Sequence, residues 1–143
     1  MTVGVSCGGV LTSPDGGDSW ETRCKSMVAE YMPPEQAENS NVQDPHLMVQ
    51  CPAEPDKMRA QHHNGIFVTR TRDGGLTFDK LTQGLPQVDA YDIVFRHALD
   101  VDETGQRPAF GSTTGSLWIS EDQGDSWTTL SRNLPPVYSV IFS

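Results

Sequence analysis

The chain has 143 residues, with 13 Gly and 10 Pro but only 36% hydrophobic residues, a balance that suits one domain of short elements and frequent turns and not a bundle of long helices. A net charge of −9 argues against a nucleic-acid backbone or an anionic membrane as partner. No apolar run approaches the roughly 20 residues of a membrane span, and the opening MTVGVSCGGV lacks the basic segment and apolar core of a secretion signal, so a cytoplasmic location is expected.

In chain order, TVGVSC and GGVLTS are short β-rich runs broken at Gly8-Gly9, a hairpin signal. The polar SPDGGDSW follows at Ser13–Trp20 and leads into a further short strand, SWETR. A long connection, CKSMVAEYMPPEQAENSNVQD, precedes the runs HLMVQCP, KMRAQHH and GIFVTR, with breaks at AEPD and at Asn64-Gly65. Then come TRDGGLTF at Thr71–Phe78 and the strand TFDKL. The arrangement repeats in AYDIVFRHALDVD, RPAFGST and SLWIS, with SEDQGDSW at Ser120–Trp127 and SWTTL behind it. The last segment, PPVYSVIFS, reads as one more apolar strand.

Three polar boxes share one rule: hydroxyl, any residue, Asp, any, Gly, any, hydroxyl, aromatic. The matched positions are Ser13, Asp15, Gly17, Ser19 and Trp20; Thr71, Asp73, Gly75, Thr77 and Phe78; Ser120, Asp122, Gly124, Ser126 and Trp127. Asp and Ser or Thr side chains can satisfy nearby backbone N–H groups, and Gly supplies a backbone conformation costly to other residues, so each box predicts a self-satisfied turn. The closing aromatic is expected to wedge between neighbouring units. A calcium loop would need more ligands and a closing bidentate Glu; neither a metal nor a cofactor is expected. Cys7, Cys24 and Cys51 match no disulfide framework or zinc pattern and are expected as buried or semi-buried free thiols.

Each unit is thus four antiparallel strands, with the box between the third and fourth. Such units, repeated head to tail so that each covers the next, predict an all-β fold: a β-propeller with about three blades in a single domain, 1–143. The blades fall at about 1–24 plus 137–143, 45–82 and 90–131. The first lacks its inner strand, which the C-terminal segment could supply.

The boxes resemble the BNR or Asp-box repeat of sialidase-like propellers. VGVSCGGV, AEYMPPEQAE, VQDPHLMVQCP, QHHNGIF, AYDIVFRHALDVDETG and FGSTTGSLWISEDQGDSW are similar to the C-terminal part of WD40/YVTN/BNR-like and glycosyl-hydrolase-like proteins. The resemblance implies a complete ring in larger relatives, from which this chain departs by lacking the N-terminal blades and about one blade between Phe67 and Val68. Propellers use about 4–8 blades. Three leave two faces open, so a homo-oligomer is expected, most simply a dimer in which each VYSVIF strand completes its partner's first blade.

Function is expected on the face that gathers the second-to-third-strand turns and the inter-blade connections. The candidates there are Glu30, Tyr31 and Glu35 on the long connection, His62, His63 and Asn64 in QHHNG, and Tyr91 and Arg96 in YDIVFRHALD. The histidine pair could hold a metal, move protons or simply fix its turn. Asp92 and Arg96, on one alternating face, could line the channel as an ion pair or bind an anionic ligand. Sialidase chemistry, as the resemblance implies it, needs three clustered arginines and a Tyr backed by Glu, yet Arg72 lies inside a box, Arg107 lies in a turn and no Arg-Ile-Pro segment is present. The leading expectation is a non-catalytic module presenting this face to a protein or glycan; the alternative is a glycoside hydrolase using the same loops.

Overall fold

A computed structural model describes residues 1–62, 66–90 and 92–143. Its strands are β1 (Thr2–Val5), β2 (Gly9–Thr12), β3 (Glu21–Thr22), β4 (Pro45–Gln50), β5 (Met58–His62), β6 (Val68–Thr71), β7 (Asp79–Leu81), β8 (Leu99–Val101), β9 (Pro108–Gly111), β10 (Leu117–Ile119) and β11 (Thr128–Ser131). They form three antiparallel sheets, β1-β2-β3, β4-β5-β6-β7 and β8-β9-β10-β11. The first sheet lacks the inner strand that β4 and β8 supply to the others. The chain is all-β, and its units stack as propeller blades do.

Local chemistry explains the repeat. In every box the first hydroxyl donates to the Asp carboxylate and accepts the Gly N–H: Gly17 N to Ser13 Oγ is 2.7 Å, Gly75 N to Thr71 Oγ1 2.9 Å and Gly124 N to Ser120 Oγ 2.8 Å. The same Asp accepts both the N–H and the hydroxyl of the second Ser or Thr, with N to Oδ1 distances of 2.9, 3.0 and 2.8 Å. These bonds close at positive φ on Gly17, Gly75 and Gly124, where a side chain would be strained.

Two apolar seams join the three units. Val10, Cys24 and Met27 of the first pack with Ala60 and Phe78 of the second. Ile66, Val68 and Leu85 of the second pack with Val94, Leu99, Phe110, Trp118 and Trp127 of the third. Trp127 meets Phe110 edge to face at 4.9 Å, and Phe110 stacks on Trp118 at 5.0 Å. Arg59 and Arg70, directly opposed on β5 and β6, are both buried at the second seam. Arg59 donates to the Gly105 carbonyl at 2.7 Å, and Arg70 reaches Asp125 at 2.7 Å and the Gln123 carbonyl at 3.0 Å. Burial and the neighbouring Arg70 bring Arg59 down to about 10.

Several expectations change. Phe78 and Trp127 are wedges, only 3% and 5% exposed, but Trp20 is 42% exposed, since none of the described units packs on its face. Cys7 is exposed, held at positive φ in the β1–β2 turn where it has no seam to enter, while Cys24 and Cys51 are buried free thiols. The run from 90 to 102 yields only β8, since a turn from Phe95 to Ala98 interrupts it. Residues 137–143 form no regular strand in the single chain. Ser139 makes a parallel bridge to His97, and Val140 N donates to His97 O at 3.0 Å, so the segment lies beside the third unit's inner edge. Among the described residues no helix is long and apolar enough to cross a membrane.

Candidate functional site

Strand register divides the molecule into two ends. The boxes follow β2, β6 and β10, at the ends where Thr12 pairs with Thr2, Thr71 with Met58 and Ile119 with Ala109. The β1–β2, β5–β6 and β9–β10 turns lie at the opposite end, and the connections from one unit to the next enter β4 there, where Pro45 pairs with His62. This loop face holds most of the sequence candidates. His63, Asn64 and Tyr91 fall outside the described residues.

On the loop face the side chains share no common pattern of contacts. His62 is buried and stacks on Phe67 at 5.4 Å. Lys80 stands 4.5 Å above the other ring contact's partner, Phe67, and forms an ion pair with Glu30 of the long connection. Glu30 therefore ties the connection down. Burial pushes the His62 imidazole down to about 4, with Asp44 and Glu30 opposing the shift, and among the described residues its Nε2 has no hydrogen-bond partner. His46 lies 3.5 Å from Asp44 on the strand facing His62. Among the described residues no group of three or more His, Cys, Asp or Glu is arranged to hold a metal.

Tyr31 is half-exposed and its hydroxyl donates to the Val42 carbonyl; burial of the phenol raises its pKa. Glu35 is exposed in the turn at 33–36. Arg96 does not pair with Asp92. Asp92 accepts instead from Ser112 Oγ at 2.6 Å and from Thr114, which fixes the β9–β10 turn and leaves Arg96 exposed to solvent. Arg96 lines an open pocket of about 410 Å³ with His46, Phe95, His97 and Tyr138. Phe95 and Tyr138 stack at 4.9 Å and are 38% and 66% exposed.

Sequence reasoning missed this pocket because Tyr138 and Phe95 come from segments read as plain strands. It also missed Arg59 and Arg70 as anchors of a seam. The signal for the arginines was available, since two charged residues on inner β-runs demand buried acceptors.

The class these observations define is the β-propeller: stacked antiparallel sheets of three and four strands with repeated turns at one end and variable loops at the other. No protein-family model and no curated protein sequence matches the chain. Solved structures do. A GH74 enzyme from Niastella koreensis has a TM-score of 0.63 and 15% identity over 91% of this chain. YCF48 bound to D1 peptide has a TM-score of 0.59 and 15% identity over 93%, and the GH74 xyloglucanase of Xanthomonas campestris 0.58 and 20% over 86%. The chain spans 19%, 38% and 18% of the length of those three chains.

Proposed function

We propose that the chain is an Asp-box propeller module that binds a protein or glycan on its loop face and self-associates to complete its ring. The assignment to Asp-box (BNR) repeats rests on three boxes closed by the same hydrogen bonds. The binding reading rests on one observation above all: the stacked, exposed Phe95 and Tyr138 beside an unpaired-with-Asp92 Arg96 in an open pocket. Flat apolar rings with a nearby guanidinium suit stacking against a sugar ring or a peptide side chain.

Hydrolysis is the alternative, and it requires two opposed carboxylates, one protonated and one ionised. Two loop-face carboxylates are otherwise engaged, Glu30 by Lys80 and Asp92 by Ser112 and Thr114, while Glu35 is exposed in its turn. A glycan array and affinity capture with the wild type, F95A and R96A test the reading. Binding by the wild type that both variants lose is the expected result. Turnover of chromogenic glycosides by the wild type, abolished in H62A or Y31F, replaces the module with a hydrolase.

A further inference from the structure

The two internal seams follow one register, and the two end faces of the chain are its unpaired halves. The Phe78 N–H of the second box donates to the Lys25 carbonyl at 3.1 Å, and the Trp127 N–H of the third donates to Gln83 at 2.9 Å. Lys25 and Gln83 each lie five positions past the aromatic of their own box. In that register the Trp20 N–H seeks the carbonyl of Arg132, five positions past Trp127. Among the described residues neither group has such a backbone partner.

Side chains follow the same count. Ten positions before the box aromatic stand Val10 and Val68, both fully buried, and Leu117, half-buried. Seven positions after it stand Met27 and Leu85, buried, and Leu134, 41% exposed. Three positions after it stand Leu81, buried against Gly124, and Leu130, 57% exposed. A β-carbon on Gly124 would lie 2.5 Å from Leu81 Cδ1 and one on Gly75 3.6 Å from Arg23 Cβ, so the box Gly is where the earlier unit's outer strand seats. The third unit's outward residues are open where their counterparts are covered. Trp20, the first unit's wedge, is open for the same reason.

The geometry points to a second copy of this chain as the occupant of both faces. Trp20 of one copy enters the Leu117–Leu134 side of the next, Gly17 seats on Leu130, and the Trp20 N–H donates to Arg132. This contact continues the two established seams through the same positions, and each copy both gives and receives it. Two copies make six units, within the roughly 4–8 that close a ring, and three copies exceed that range. The segment 137–143, already parallel to the third unit's inner edge at His97, lies where the inner strand of a following first unit belongs.

The inference rests on the self-association proposed above and adds its surfaces and register. Light scattering on the full chain, with W20E, L130E and V88E, tests both. Val88 is 81% exposed on a connection between the second and third units and serves as the control. The expected result is twice the 15.7 kDa chain mass for wild type and V88E, with a dissociation constant raised at least ~30-fold in W20E and in L130E, as for loss of a central anchor. A monomeric wild type overturns self-association and this inference together. A W20E or L130E dimer as tight as wild type overturns the inference alone. Trp20 and Leu130 are exposed in the single chain, so both variants keep the fold, which circular dichroism checks.

Discussion

At the box end of the molecule each turn is closed by its own residues under one repeated rule, and at the loop face no rule repeats. Asp15, Asp73 and Asp122 take the same bonds from the same relative positions. Hydrogen bonds from Ser19 hold Asp15 well below the usual carboxylate range. At Asp73 and Asp122 desolvation is the largest single effect and pushes upward, but the hydrogen bonds from Thr77 and Thr71, and from Ser120 and Ser126, together outweigh it and bring both carboxyls down to about 2. Loop-face groups share no such pattern: His62 is neutral under Phe67, Glu30 crosses to Lys80, and Arg96 is open. Repetition therefore marks what the fold needs, and its absence marks where binding can be specialised.

The comparison breaks most sharply at the seam that both ends rely on. Replacing Arg59 with Ala empties a buried site and leaves the Gly105 carbonyl buried without its donor, while the Gln123 carbonyl keeps Arg70. A loss of about 3–5 kcal/mol is expected by urea unfolding. D122A is expected to cost about 2–3 kcal/mol, since three bonds to one carboxylate vanish, the Ser126 N–H loses its acceptor and the Ser120 hydroxyl that accepts from Gly124 N–H loses its anchor. A cost below about 0.5 kcal/mol would mean that the box does not hold its own turn.

His62 sets the pH response of the loop face. Its imidazole titrates near 4 in the folded chain and near 6.5 when unfolded, so the unfolded state binds the proton first as pH falls. Stability is unaffected above about 6.5 and declines from there toward pH 4, by up to about 3 kcal/mol. Unfolding of wild type and H62N across that window measures it; the variant is expected to give a flatter profile. Below pH 4 the box carboxylates take over, their stabilisation being lost as pH falls toward 2. The smallest effect belongs to Arg96: R96A is expected to change stability by less than about 0.5 kcal/mol while removing ligand binding.

How much could be read from the sequence follows the same division. The boxes, strand counts and missing first strand were legible because a short-range rule of hydroxyl, Asp and Gly fixes each turn wherever it stands. The wedge role of Phe78 and Trp127 was legible too, but the exposure of Trp20 depends on a neighbour and not on its own box. The loop face was hidden for that reason throughout. Asp92 chooses Ser112 and Thr114 over the nearer-in-sequence Arg96, and Phe95 meets Tyr138 across more than forty positions of chain. No local spacing announces such pairs.

Amide hydrogen exchange at the three box aromatics measures the repeated seam most directly. The Phe78 and Trp127 amides, bonded within the chain, are expected to be protected at every protein concentration. The Trp20 amide is expected to match them at high concentration and to lose protection on dilution, as its Arg132 acceptor departs with the second copy. A Trp20 amide that exchanges freely at all concentrations, beside protected Phe78 and Trp127, would contradict the account.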